Sequence, residues 1–298
     1  MRAAIAATIA VALSGCVATR QPTAATVAPS ATVAPSAAAS LAAVPPAYQY
    51  LYGSGEAGAE SLTAFHALIA FAKDRVAHRP VDSVVLAAGS PLVKARFVPC
   101  GAKPFAAVFD VDETVLLNLG FEARAAAGEP YRQDEWERWE ATGGNALAAV
   151  PGAVHAVEDL RKMGVTVVFN SNRSAAHAAE TTAALKTSGL GEAVHGETLF
   201  LQGDDATGGR KDARRAAIAA RYCVIAMGGD QLGDFSDLFN SLMSVTERRQ
   251  LAVHSSAAGL WGKGWFVLPN PVYGTALKGG PDDVFPADKR WSPASQEK

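Results

Sequence analysis

Short apolar runs alternate with helix-like segments along most of this chain, and that alternation leaves few folds open. Phe105 to Phe109 is an apolar run that stops at Asp110. Val165 to Phe169 is a second, stopped by Asn170, and Thr198 to Leu201 is a third. Cys223 to Met227 runs into Gly228-Gly229-Asp230, and Trp265 to Leu268 is closed by Pro269. Runs of this length without polar alternation read as strands buried on both faces of a parallel sheet. Between them lie helical patterns. Val154, Val157, Leu160 and Met163 recur at roughly helical spacing after Pro151 and before Gly164. Residues 175–188 and 211–222 read the same way. Ahead of the first strand, Glu60 to Val76 is amphipathic, with Leu62, Phe65, Ile69 and Val76 on one side. Alternating strands and helices imply right-handed crossovers and a mostly parallel sheet with helices on both faces, an α/β fold.

In such sheets ligands bind at the carboxyl ends of the strands. Polar residues collect there: Asp110 and Asp112 after the first run, Ser171 and Asn172 after the second, Asp230 after the fourth. Residues 119–150, approximately, interrupt the alternation. They are polar, carry Trp136 and Trp139, and read as a small, mainly helical cap over the strand ends. Two tryptophans three apart share a helix face. They either pack the cap onto the domain or present a ring to a ligand.

Asp110-Val111-Asp112-Glu113-Thr114 is the central motif. Two carboxylates at a strand exit suit a hard cation with oxygen ligands. They also suit a division of labour between a nucleophile and a proton carrier. Asp-x-Asp alone is common in loops; the other strand ends give it weight. Ser171-Asn172-Arg173 offers a hydroxyl and an amide for phosphoryl oxygens. Lys211 brings a cation, and Gly229-Asp230-x-x-x-Asp234 brings two further carboxylates. Four clustered carboxylates repel one another unless a divalent cation and a lysine offset them.

The N-terminus is a separate matter. Arg2, an apolar stretch from Ala3 to Ala12 and then Leu13-Ser14-Gly15-Cys16 read as an export signal over residues 1–15, too short for a membrane helix. Cys16 after Leu-Ser-Gly resembles the lipobox of bacterial lipoproteins, which implies cleavage before Cys16 and lipidation of it. Val17 follows, rather than the Asp that resembles an inner-membrane retention signal, so the expected location is exported, lipid-anchored, at the outer membrane of a Gram-negative bacterium. Residues 16–46 repeat Ala-Thr-Val-Ala-Pro-Ser at 25–30 and 31–36 and lack the large apolar residues of a core. They read as a linker. Residues 47–298 then form the folded domain with its cap insert. The formal net charge of −2 over 298 residues argues against a general nucleic-acid binder.

Asp110-Val-Asp-Glu-Thr-Val-Leu, Ser171-Asn-Arg, Lys211 with Arg214 and Gly-Asp230-Gln-Leu-Gly-Asp234-Phe resemble, in order, the four motifs of the haloacid dehalogenase (HAD) superfamily. With the lipobox they resemble the bacterial class C non-specific acid phosphatases, which include outer-membrane lipoprotein 5′-nucleotidases. Pro269-Asn270-Pro271-Val272-Tyr273-Gly274 resembles a late segment of that family. The resemblance spans roughly residues 47 to 277. It implies a Rossmann-like parallel sheet and hydrolysis of small phosphate monoesters, nucleoside monophosphates among them. It further implies Asp110 as nucleophile through an aspartyl-phosphate, Asp112 as acid and then base, and Mg²⁺ held by Asp110, the backbone carbonyl of Asp112 and Asp230. Ser171 and Lys211 would hold the phosphoryl oxygens, with Asn172 and Asp234 in support. Trp136 and Tyr273 would form the walls of a nucleobase slot. Ser171 stands where the family usually has Thr, and Gly233 stands where a carboxylate is common.

Two alternatives remain open at this stage: a ligand-capturing pseudo-phosphatase, and a sugar phosphatase of the same fold. Retention of Asp110, Asp112 and Asp230 argues against the first, and the aromatic pair argues against the second. The resemblance also makes the first and fourth strands neighbours. Cys100 and Cys223 are then either disulfide-bonded or a loop thiol and a buried thiol. A bond requires the Pro99-Cys100-Gly101 turn to fold back.

Overall fold

The computed structural model describes residues 43–241 and 243–293. The signal segment, Cys16 and nearly all of the linker lie outside them. Among the described residues nine strands occur: β1 (Asp82–Leu86), β2 (Phe97–Pro99), β3 (Phe105–Phe109), β4 (Leu116–Leu117), β5 (Ala148–Ala149), β6 (Thr166–Ser174), β7 (Leu199–Gln202), β8 (Cys223–Gly229) and β9 (Trp265–Val267). The five expected strands form one parallel sheet in the order β7-β6-β3-β8-β9.

Side-chain alternation in the strands explains the two apolar layers. From β3, Ala107 and Phe109 point to one face with Val167 and Phe169 of β6. Ala106 and Val108 point to the other with Val168 of β6 and Val224 of β8. The first face is covered by the helices Gly55–Ala77 and Ala153–Lys162, through Phe65, Leu68, Val157 and Leu160. The second is covered by helix Asp212–Arg221, through Ile218 and Ala219, and by Phe235, Phe239 and Trp265. The chain steps outward from β3 to β6 and β7, then crosses back to β8 and β9. β3 therefore lies at the reversal of strand order, where α/β sheets open a crevice for ligands.

Three expectations need correction. The first long helix begins at Gly55, five residues before the expected Glu60, because the Ser54 hydroxyl accepts from Ala57 N and caps it. Its buried face runs through Phe65, Leu68 and Ala72, leaving Leu62 exposed. Strand β6 continues to Ser174, so Ser171 and Asn172 lie within the strand rather than after it.

Two small antiparallel pairs had no strong periodic signal. β1 pairs with β2, and the Trp265 Nε1 donates to Val84 O at 2.8 Å, docking that hairpin on the sheet. β4 pairs with β5 through Leu116–Ala149 and Leu117–Ala148. This second pair brings the two ends of the insert together. Between them lie the helices Leu119–Ala126 and Gln133–Thr142, so the insert is mainly helical.

Cys100 and Cys223 are disulfide-bonded, with Cα atoms 4.5 Å apart. The turn after β2 folds back as such a bond requires: Gly101 sits at φ 54° and Lys103 N donates to Cys100 O. Cys223 N donates to Pro104 O, which sets the start of β8 beside the start of β3. The bond lies at the sheet edge opposite the strand ends that carry Asp110 and Asp230.

Candidate active site

Asp110 leaves β3 with its N–H donating to Gly228 O of β8. Lys211 N-caps helix Asp212–Arg221 and donates from Nζ to Asp110 Oδ1 at 2.5 Å and to Asp234 Oδ1 at 2.7 Å. Asp237, which the sequence reading missed, holds that helix start: its carboxylate accepts from Lys211 N and Asp212 N, both at 2.8 Å. The Asp234 loop is held by Arg215, whose Nη1 donates to Gly233 O and Asp234 O. Gly229 permits the close approach of that loop. A Cβ there would sit 2.3 Å from the Asp234 Cβ.

Asp230 ends β8. Its Oδ2 accepts from Gln231 Nε2 and Asn270 Nδ2, and its Oδ1 accepts from Thr114 Oγ1. Carboxylate oxygens of Asp110, Asp230 and Asp234 all lie within 4.8 Å of one another. Burial, followed by the neighbouring carboxylates and opposed by Lys211, drives the Asp110 carboxyl well above its ordinary value. Burial and then Asp234 push Asp230 up to about 7. One ammonium among three buried carboxylates leaves negative charge uncompensated, and the all-oxygen donor set fits a hard divalent cation.

Asp112 points elsewhere. Its Oδ1 accepts from Arg173 Nε at 2.9 Å, Arg173 Nη2 at 2.7 Å and Asn118 Nδ2 at 2.9 Å. Its Oδ2 has only the Ser171 hydroxyl, at 3.5 Å. The Asp112 side chain therefore stands apart from the carboxylate cluster, and any metal contact from this residue falls to its backbone carbonyl. Arg173, within a motif the sequence reading singled out, is the fully buried fork that orients it.

Ser171 and Asn172 both stand beside the site, each with partners inside the protein. Ser171 is fully buried and faces Asp112. Asn172 lines the cavity, but its Nδ2 donates to Gly209 O and its Oδ1 accepts from Arg214 Nη2. It supports the loop that leads to Lys211. At Gly233 the space a side chain would occupy is filled by Asn240, whose Nδ2 lies 2.2 Å from where a Cβ would be.

Glu113, unassigned from sequence, is the hub behind Asp112. It is the one non-glycine residue at positive φ among those described, 52°, and is buried. It accepts from Asn118 N at 2.9 Å, Tyr52 Oη at 3.2 Å and the Tyr273 hydroxyl. Asn118 in turn takes the Trp139 Nε1 on its Oδ1 at 2.9 Å. The two cap tryptophans thus diverge: Trp139 anchors the cap to Asn118, and Trp136 lines the cavity edge-on to Phe121, ring centres 5.0 Å apart. Tyr273 lines the same cavity. Its volume is about 750 Å³, ample for a small ester.

A phosphoryl-transfer arrangement at the strand ends, closed over by a helical insert, is what a known family shares. Residues 22–276 match the family described as HAD superfamily, subfamily IIIB (Acid phosphatase). The chain belongs to that family. The match begins inside the expected linker, earlier than residue 47. Two solved structures are similar. The class C acid phosphatase from Bacillus anthracis is 23% identical, with a TM-score of 0.63 over 77% of this chain and 84% of that one. The class C acid phosphatase from Bacillus anthracis with tungstate bound is 22% identical, with a TM-score of 0.62 over 84% of this chain and 90% of that one. At this identity they support the fold of an HAD acid phosphatase. No curated protein matches the chain. For an acid phosphatase of this family, small phosphate esters are the substrate class, and the cavity beside Asp110 is large enough for one.

Proposed function

We propose that this acid phosphatase hydrolyses phosphate monoesters, nucleoside monophosphates among them, with Asp110 as nucleophile. The observation that carries the reading is the Lys211–Asp110 contact inside the Asp110–Asp230–Asp234 cluster. The Asp110 carboxylate attacks phosphorus and the bond to the ester oxygen breaks. Asp112 gives a proton to that leaving oxygen, then takes one from the water that attacks the aspartyl-phosphate and frees Asp110. Its Oδ1 is occupied by Arg173 and Asn118, so Oδ2 is the oxygen that carries the proton. Lys211 holds Asp110 in line and offsets charge on the phosphoryl group. Asp110 and Asp230, with the Asp112 carbonyl, would hold Mg²⁺, which supplies charge neutralisation at the transferring phosphoryl group. Trp136 and Tyr273 favour a flat, stackable leaving group over a sugar.

A phosphate-release screen over nucleotides and sugar phosphates, with and without Mg²⁺, tests the reading. Asp110→Asn should abolish turnover; activity within about tenfold of wild type, roughly 1.4 kcal/mol of barrier, would overturn the nucleophile. Export and lipidation at Cys16, with the enzyme held at the outer membrane, belong to the same proposal. They rest on Leu13-Ser14-Gly15-Cys16. Cys16→Ser should release the enzyme from membranes at unchanged specific activity. A soluble wild type would refute the anchor.

A further inference from the structure

Glu122 sits on the first helix of the cap and lines the cavity that holds Asp110 and Asp112. It is 6% exposed, and among the described residues nothing donates to its carboxylate. Every other buried acid near the cavity floor has a partner. Lys211 serves Asp110 and Asp234, Arg173 serves Asp112, two amides serve Asp230, and Asn118 serves Glu113. The carboxylate therefore faces the cavity without a protein partner and is open to a cationic group of a ligand.

The charge of the cavity is lopsided. Lys211 is the one basic side chain that lines it among the described residues. It stands at the phosphoryl end, beneath Asp110. Among the described residues no basic side chain lines the cavity beside Glu122; Arg124, on the same helix, is paired with Glu129 and Glu135. Glu129, also at the cap, already has Arg124 at 3.6 Å. Tyr48, Phe121 and Trp136 line the cavity with Glu122 and present ring surface. Ring faces attract cations, and a carboxylate beside them completes the recognition of an ammonium group. Glu122 N donates to Asn118 O at 2.9 Å, and Asn118 Nδ2 donates to Asp112 Oδ1 at 2.9 Å, so Asn118 ties Glu122 and Asp112 to the same side of the cavity that both line. Burial first, and the charge of Asp112 second, raise the Glu122 carboxyl to about 7.

We propose that Glu122 is a specificity residue that selects phosphate monoesters whose alcohol carries a cationic nitrogen a few bonds from the ester oxygen, as in phosphorylated amino alcohols. The phosphate dianion goes to the Lys211 end and the cation to Glu122, so a zwitterionic ester matches the cavity at both ends. This rests on the phosphatase reading above and adds a substrate class to it.

The test compares phosphocholine with 3,3-dimethylbutyl phosphate, which replaces the quaternary nitrogen by carbon at nearly the same shape. Wild-type enzyme should favour phosphocholine by roughly tenfold in kcat/KM, the factor a desolvated cation contact of this kind supplies. Glu122→Gln should bring that ratio close to one, and Glu122→Asp should restore part of it. Free choline should inhibit wild type competitively where 3,3-dimethylbutanol does not, a measurement that needs no variant. A wild-type ratio of one or less, or a ratio unmoved by Glu122→Gln, overturns the inference while p-nitrophenyl phosphate is still hydrolysed. Failure to hydrolyse p-nitrophenyl phosphate overturns the phosphatase reading itself, and the inference with it.

Discussion

The Tyr273 hydroxyl donates to Glu113, linking the late segment of the chain to a residue 160 positions earlier, directly after Asp112. That bond joins a wall of the cavity to the loop that carries Asp110 and Asp112. Tyr273→Phe keeps the ring and removes the donor. The Glu113 carboxylate retains Asn118 and Tyr52. The expected loss is about 1–3 kcal/mol of stability, the usual cost of breaking a buried bond to a charged acceptor. KM should rise more than kcat falls, because the ring loses its tether while Asp110 is untouched. Unchanged melting and unchanged KM would show that the bond positions nothing.

On the proposed mechanism, in which one Asp112 oxygen serves as acid and then as base, Asp112→Asn should slow both chemical steps. The amide still fills the Arg173 fork in part, so the fold should persist. The loss should be smaller for p-nitrophenyl phosphate, whose leaving group needs little protonation, than for an alkyl phosphate. Equal losses on the two esters would remove Asp112 from the role.

Two buried carboxyls give the metal-free protein an unusual pH profile. Burial and then Asp112 hold Glu122 up to about 7 and Glu113 up to about 8, against an ordinary value of 4.5. Both folded values lie above the unfolded one. Between them the folded chain binds more protons than the unfolded chain, so stability falls as pH rises through that window. The melting temperature measured in a metal chelator should drop by at least about 3 °C from about pH 5 to about pH 8. A flat or rising profile would count against these two environments.

The Cys100–Cys223 bond closes a loop across a sequence separation of 123, worth about 4–5 kcal/mol in the chain-entropy picture. Denatured, unreduced protein carrying Cys16→Ser should titrate with no free thiol. Reduction should lower the melting temperature while leaving the Lys211–Asp110 end of the sheet assembled. Two thiols per chain would rule the bond out.

The sheet was legible because its strands are short, apolar and buried on both faces, which leaves one reading for Phe105 to Phe109 or Cys223 to Met227. Asp110, Asp230 and Lys211 were legible because strand exits and helix starts are where such a fold exposes polar groups. What stayed hidden works across distance. Glu113 is defined by Tyr52, Asn118 and Tyr273, and Asp230 by Asn270, none of which leaves a periodic trace. Asn270 lay inside a segment already marked by its resemblance, and Arg173 inside the Ser171 motif. Glu122 and Asp237 carried no such mark. The placement of Ser171 and Asn172 changed because β6 runs on to Ser174 past the polar Asn170 that reads as its end.

The β4–β5 pair has a consequence for how an enzyme of this kind can change. It pinches the chain where the insert begins and ends, and the stretch between Asn118 and Ala148 is seated a second time on β6, where the Glu140 carboxylate accepts from Ser174 N. Exposed cap positions away from these two seats can trade side chains without disturbing the register of β3 against β6 and β8. The part of the cavity wall around Trp136 can then drift apart from the strand ends, whereas Tyr273, tied to Glu113, cannot. Asn118 is the exception: bound at once to Asp112, Glu113 and Trp139, it is the pin through both parts, and the position least free to vary.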